Sequence, residues 1–258
     1  MPARLKGKRT DGRVDRILRF IRTAVSNAGA TGVVLGISGG VDSAVVGELC
    51  VRALGKRKVM ALIMPSSQTV ASDLRDAKAL VRKWGVRSRI VPIDPAVRAV
   101  LKESGLGGGL VARGNLQARM RMSALYYFAN TTNRLVVGTG DRSEIELGYF
   151  TKFGDGGADL LPIGNLYKTE VRELGRYLGI PNRIIAKPSS PGLWKGHRAE
   201  AELGAPYEIL DAILADHFGR GVSITESAAK AGVPVDIVRR VVAMHASTAH
   251  KRALPPIP

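Results

Sequence analysis

Six consecutive residues, Ser38-Gly39-Gly40-Val41-Asp42-Ser43, have the types and the order that phosphate binding needs. Adjacent glycines let backbone N–H groups approach an anion with no Cβ in the way, and the two serine hydroxyls add donors. The run before them, GVVLGIS at 32–38, is apolar and β-branched and reads as a buried strand, while 41–54 carries a helical pattern. The glycines therefore stand where a strand passes into a helix, whose first N–H groups and positive dipole end favour an anion. Asp42 sets a carboxylate beside that anion. A cation between the two relieves the repulsion, and Mg2+ suits such an all-oxygen setting. Two better-known phosphate loops are excluded. No lysine lies where G-x-x-x-x-G-K-[ST] needs one, and Gly138-Thr139-Gly140-Asp141-Arg142-Ser143 has Ser143 in place of the third glycine of G-x-G-x-x-G. Glu144, just past this second glycine turn, is placed to share an ion with Asp42 if the two turns meet.

These residues need a scaffold that brings 38–43 and 138–144 together. Val14, Ile17, Leu18, Ile21 and Val25 recur at helical spacing and predict an amphipathic helix over 13–28. Strands are expected at 32–38, 58–65, 88–93 and 134–140, and helices at 41–54, 73–84, 116–131 and 167–178. This alternation predicts an α/β fold, a doubly wound parallel sheet of Rossmann-like kind covered on both faces. Nucleotides bind at the carboxyl edge of such a sheet, the edge that carries both turns. The stretches 148–165 and 187–204 are long, rich in glycine or in proline, serine and glycine, and lack a period, which marks functional loops. Only helical patterns follow, at 206–217, 223–231 and 234–247, giving a helical C-terminal part before HKRALPPIP closes the chain.

Composition bounds the partners. Of 258 residues, 45% are apolar and 24% charged, which excludes disordered, collagen-like and low-complexity classes. No apolar run reaches the roughly 18 residues of a membrane span, and no apolar segment follows the basic N-terminus as a secretory signal requires. The expectation is a cytoplasmic protein with a basic mobile tail over 1–12 and one domain over 13–258. A single cysteine, Cys50, excludes an internal disulfide and a thiolate zinc cluster, and its apolar setting reads as a small buried hydrophobe. Lys plus Arg number 39 against 22 Asp plus Glu, a net charge of +17, which admits an anionic partner or a surface tuned for solubility.

In its strand–turn–helix setting SGGVDS resembles the pyrophosphate-loop signature of the N-type ATP pyrophosphatases, which cleave ATP between the α and β phosphates. Further blocks are similar to one branch, the NAD synthetases: MPSSQT at 64–69, GNLQARMRM at 114–122, GTGDRSEIELGYFTKFGDGGADLLPIGNLYKTEVRELGRYLGIP at 138–181, and the closing HKRALPPIP. They occur in order from about residue 13 to residue 258. The resemblance implies an adenine nucleotide α-hydrolase-like fold and ATP-dependent amidation of deamido-NAD. The nicotinate carboxylate attacks ATP, pyrophosphate leaves, and ammonia displaces AMP to give NAD. ATP is then a co-substrate and Mg2+ the cofactor. By the same resemblance Gly36, Ile37, Ser38, Gly39, Gly40, Val41, Asp42 and Ser43, with Thr139, Lys168 and Ser190, contact ATP. Asp42 and Glu144 hold the metal, and Asp42 and Lys168 are catalytic, Lys168 neutralising phosphate charge that develops during adenylation. Arg119, Lys152, Asp159, His250 and Lys251 hold deamido-NAD, the last two across a homodimer interface. Taken singly, Glu144 and Lys168 read as surface charges and His250 as a tail histidine. Glutamine-dependent relatives carry an additional amidohydrolase domain with its own nucleophile. Residues 1–13 leave no room for one of ordinary size, so free ammonia is the expected nitrogen donor.

One stretch departs from the related pattern P-S-A-G-L-W-x-G-Q-T-D-E-x-E-L-G. His197, Arg198 and Ala199 stand where Gln, Thr and Asp are usual, so an acidic residue is lost and a base gained. A competing class starts from the charge. SITESAAKAGVPVDIVRRVVAMHAS reads as a helix-turn-helix with Arg239 and Arg240 on its second helix, which would make the chain a nucleic-acid binder or a tRNA-modifying pyrophosphate-loop enzyme. Val233, Val235, Ile237, Val238, Val241 and Val242 leave that helix little polar surface, and aromatics at 5% supply few stacking platforms. Specific nucleic-acid binding and membrane association are therefore not expected. A GMP synthetase-like ATPase is the nearest enzymatic alternative, and the 114–122 and 148–165 blocks do not suit it.

Overall fold

The computed structural model describes residues 7–194 and 196–257. Four short strands, β1 (Gly32–Gly36), β2 (Val59–Ile63), β3 (Arg87–Ile90) and β4 (Arg134–Val137), form one parallel sheet in the order β3-β2-β1-β4. Leu35 lies opposite Ala61 on one side and Val137 on the other. The chain winds outward from β1 to β3 and returns to β4 on the far side of β1. The gap between β1 and β4 is thus the point where the winding reverses, and doubly wound sheets open a ligand crevice there. Each strand stops two or three residues short of its expected end, because the final residues of each run turn away as the crevice loops begin.

Alternation along the strands sorts their side chains to two faces. Val33, Leu35, Val59, Ala61, Ile63 and Val137 pack with α1 (Gly7–Asn27), α2 (Val41–Leu54), α3 (Ala71–Trp84), α7 (Lys168–Leu178) and α8 (Asn182–Ile185) in the main core. Val34, Met60, Leu62 and Val136 face the other way, onto Leu125, Tyr126, Phe128 and Ala129 of α5 (Leu110–Thr132). The first helix begins at Gly7, earlier than its apolar periodicity predicts, so only residues 1–6 of the expected tail lie outside the described residues. Four helices were not predicted: α4 (Asp94–Ser104), which opens on Asp94-Pro95, and α6 (Arg142–Leu147), α8 and α9 (Ala199–Leu203), which have six residues or fewer, too few to show a period.

The helical C-terminal part builds a second core. Leu147 and Tyr167 meet Leu203 of α9 (Ala199–Leu203), Tyr207, Leu210, Ile213 and Leu214 of α10 (Tyr207–Leu214), Ala228 of α11 (Ile224–Ala231), and Val238 and Val241 of α12 (Val235–Ser247). The apolar face of α12 is therefore spent on packing. Its two arginines are engaged within the chain, Arg239 with Asp236 at 3.1 Å and Arg240 with the Glu202 carbonyl at 2.8 Å. No helix among the described residues is long and apolar enough to cross a membrane.

Candidate active site

The β1–α2 turn is shaped by its own hydroxyls. Ser43 Oγ accepts the Ser38 N–H (3.2 Å) and donates to the Gly40 carbonyl (3.1 Å), while Ser38 Oγ accepts the Gly40 N–H (3.2 Å). Gly39 adopts φ +86°, and a Cβ there would come within 2.3 Å of the Asp73 carbonyl, so no other residue fits. Gly40 is the N-cap of α2, yet no side chain caps the helix. Its first-turn N–H groups are left for another acceptor, as a phosphate-binding turn requires.

Across the crevice, the β4–α6 turn is closed by a capping box. Asp141 accepts the Glu144 N–H (2.8 Å), and Glu144 Oε2 reaches back to the Asp141 N–H (3.4 Å). The third contributor is the first residue of α7. Lys168 is 1% exposed, and its Nζ lies 2.9 Å from Asp42 Oδ2, 2.7 Å from Asp141 Oδ2 and 3.0 Å from Glu144 Oε1. Three carboxylates from two loops thus converge on one buried ammonium. Burial alone would neutralise Lys168, but Asp141, Asp42 and Glu144 outweigh it and hold its pKa well above the ordinary lysine value. Burial pushes Asp141 up to about 6, with Lys168 opposing and Asp42 reinforcing the rise. Burial likewise pushes Glu144 up to about 8 against the pull of Lys168, and Asp141 and Asp42 add to the shift.

Asp211 of α10 sets the position of this lysine. One of its oxygens accepts from Ser143 Oγ (2.5 Å) and the other from the Thr169 N–H (2.9 Å), and Ser143 Oγ in turn accepts the Lys168 N–H (2.9 Å). The beginnings of α6 and α7 are thereby tied to one buried carboxylate of the second core. Tyr207 lies beneath, its ring centroid 5.3 Å from Lys168 Nζ, and burial holds its hydroxyl far above the usual tyrosine range.

The donor set fits a divalent cation. Asp42 Oδ1 is buried and unpartnered, the ligand atoms on offer are all carboxylate oxygens, and the phosphate turn adjoins them. Among the described residues no three acidic, histidine or cysteine side chains already converge into a cage, because Lys168 fills the space between these carboxylates.

The structure brings Asp42, Glu144 and Lys168 together and adds Asp141, Ser143, Tyr207, Asp211 and Lys187, which the residue patterns did not single out. D-R-S-E at 141–144 is a capping-box pattern by which Asp141 could have been found, whereas nothing local marks Asp211. Lys187, at the start of the 187–204 segment, donates to the Gly39 carbonyl (3.1 Å) and pairs with Asp73 (2.7 Å) and Asp76 (2.6 Å), so it ties that segment to the phosphate turn. Thr139 lies in the β4–α6 turn. Ser190 turns inward instead, donating to the His197 carbonyl and accepting the Gly192 N–H (3.1 Å). His197 stacks on Trp194 and contacts Glu202 (2.8 Å) and Tyr149 (3.1 Å), so the departure from the related pattern forms a polar cluster of its own.

The residues assigned to the second substrate form a chain of contacts. Arg119 donates to the Lys152 carbonyl (3.3 Å), Lys152 Nζ to the His250 carbonyl (2.6 Å), and Lys251 Nζ to the carbonyls of Gly148 (2.7 Å) and Phe150 (2.9 Å). The C-terminal turn is thus fastened to the chain's own 148–152 loop. Asp159 stands apart at the sheet edge, accepting the Val136 N–H (2.7 Å) and the Tyr126 hydroxyl (3.0 Å).

Comparison with known proteins agrees with this geometry. The NAD synthase family profile matches residues 13–255. An NH3-dependent NAD+ synthetase of Hyperthermus butylicus is 48% identical over 249 residues, 96% of this chain and 90% of that protein. An NMN synthetase structure from Francisella tularensis superposes with a TM-score of 0.86 at 37% identity, covering 96% of this chain and 98% of that one. An NH3-dependent NAD synthetase from Campylobacter jejuni gives 0.83 at 32% identity, covering 96% and 98%. A parallel sheet reversing at β1 and β4, an uncapped glycine turn, and a lysine among carboxylates at that reversal accompany a family match along nearly the whole sequence: the chain belongs to the NAD synthase family.

Proposed function

We propose that the protein amidates deamido-NAD to NAD with ATP and ammonia, through an adenylated nicotinate carboxylate, releasing AMP and pyrophosphate. The observation that carries this reading is Lys168, buried among Asp42, Asp141 and Glu144 beside an uncapped phosphate turn. The turn at 38–43 takes the nucleotide phosphates through N–H groups and serine hydroxyls. Asp42 and Glu144 would hold Mg2+, which when bound offsets the charge of the triphosphate. Lys168 supplies a fixed positive charge at the α-phosphate as negative charge builds there during attack by the carboxylate. Asp211, through Ser143 and Thr169, keeps Lys168 from drifting as charges around it change. Arg119 and Lys152 are cationic positions suited to the pyrophosphate and carboxylate of a dinucleotide. Ammonia then displaces AMP. Cys50 takes no part as a nucleophile: burial pushes its thiol up to about 12.

A homodimer is the assembly in which His250 and Lys251 would serve a neighbouring site.

A second reading takes the same chemistry on the mononucleotide, nicotinate mononucleotide going to NMN, and the Francisella tularensis NMN synthetase is the observation behind it. One assay separates them. With ATP, Mg2+ and ammonium, deamido-NAD should be converted with the higher kcat/KM. A preference for nicotinate mononucleotide reverses the assignment of substrate and leaves the adenylation chemistry in place. Conversion of neither refutes the function.

A further inference from the structure

Away from this site a cavity of about 530 Å3 opens between α7, α10 and the segment 185–201. Its walls carry four cations, Arg172, Arg176, Lys187 and Arg198, against two carboxylates, Glu200 and Glu208, with apolar surface from Ile185 between them. The phosphate turn, Asp141, Glu144 and Lys168 do not line it. It is nevertheless one ring away from them, since the Tyr207 centroid lies 5.3 Å from Lys168 Nζ and 5.8 Å from Arg172 Cζ.

The charges are unevenly spent. Arg172 is met by Glu208 (2.8 Å) and Glu200 (3.5 Å), and Lys187 by Asp73 (2.7 Å) and Asp76 (2.6 Å). Arg176 and Arg198 form no ion pair among the described residues, and both lie exposed on the cavity wall. Two free guanidiniums facing a cavity of small-molecule size are donors whose planar geometry matches phosphate oxygens. Arg198 is also one of the residues that depart from the related pattern, where threonine is usual, so this charge is a feature of the present chain. Lys187 extends the wall to the phosphate turn through its bond to the Gly39 carbonyl (3.1 Å).

We propose that this cavity is a second anion site, which takes a small phosphate-bearing ligand on Arg176 and Arg198, with Lys187 coupling it to the phosphate turn. The inference rests on the proposed function only for its probes, AMP and inorganic pyrophosphate, the two phosphate-bearing products of that reaction. Each is titrated calorimetrically, at physiological salt, into the full-length protein, into Arg176→Ser/Arg198→Ser, and into Arg16→Ser/Arg19→Ser. The last pair removes two exposed cations of α1, away from the cavity, and so controls for net charge. The wild type and the α1 variant should bind two equivalents of at least one probe. The cavity variant should keep one event and weaken the other by about tenfold or more, the loss of a charge-assisted contact. Loss confined to AMP assigns the site to a nucleotide, and loss confined to pyrophosphate assigns it to an inorganic polyphosphate. A single equivalent of both probes in the wild type, or equal weakening in the two variants, overturns the proposal. The readout is binding, so a failure to form NAD would count against the proposed reaction and leave this result standing.

Discussion

Lys168 meets Asp42, Asp141 and Glu144, and burial raises the pKa of the last two, which sets the pH behaviour of the site. Asp141 and Glu144 have folded-state pKa values of about 6 and about 8, above the ordinary carboxylate range. A group raised in this way contributes stability that is fully present below its unfolded value and is lost as pH rises through its folded value. Replacing Lys168 by Met removes the cation that opposes these shifts, so both folded values climb further. The variant should be less stable than the wild type by ~3–5 kcal/mol at pH 8, the cost of a broken buried pair. The deficit should shrink toward pH 5, where the acids hold their protons, and urea unfolding at the two values measures it. Asp42→Asn removes charge without volume. It should leave the melting temperature within a few degrees of the wild type and lower AMP release by about 100-fold or more, measured by nucleotide chromatography. Asp42, Glu144 and Lys168 were legible because family motifs carry them, although their own surroundings made Glu144 and Lys168 look like surface charges. Asp211 was not legible. Its role depends on α10 docking across α6 and α7, and no local pattern reports a contact between residues so far apart in the chain.

At the scale of elements, the phosphate turn is held from behind. Lys187 bonds the Gly39 carbonyl and pairs with Asp73 and Asp76 at the start of α3, and Arg183 of α8 also reaches Asp76 at 2.9 Å. Burial alone would raise the Asp76 pKa, but its bonds and charges to Lys187 and Arg183 outweigh burial and lower it. A lowered carboxylate stabilises the fold above its unfolded value, and that stability is lost as pH falls through the folded value. Asp76→Asn should therefore cost ~1–3 kcal/mol at pH 7. The gap to the wild type should close as pH falls below the ordinary carboxylate value of 3.8, as followed by thermal unfolding across that range. The helices α2 and α7 were legible nearly to the residue, since a glycine turn or glycine stop marks their ends and the apolar period is sustained. The six-residue α6 was not, because its helix comes from a capping box and from packing on the second core, and periodicity needs more turns to appear.

For the whole molecule, the order β3-β2-β1-β4 brings the two glycine turns to one crevice although about a hundred residues separate them. Alternating strand and helix patterns predicted that architecture, because the inner strands β1 and β2 are apolar throughout and the crossover helices are long. The arrangement of the C-terminal helices was beyond such patterns: the apolar residues that spoke against a helix-turn-helix, Val238 and Val241 among them, are buried in the second core with α6 and α10. Net charge did not decide the partner either, since what a cation can bind depends on where the fold places it, Lys168 buried among carboxylates and Arg176 and Arg198 exposed on a cavity wall. The proposed reaction requires that the substrate carboxylate be adenylated in this crevice. Deamido-NAD labelled with 18O in its nicotinate carboxylate, incubated with the protein, ATP, Mg2+ and ammonium, tests that directly. One labelled oxygen should appear in AMP and none in pyrophosphate, read by mass spectrometry of the products. Unlabelled AMP alongside NAD, or ADP and phosphate in place of AMP and pyrophosphate, would contradict it.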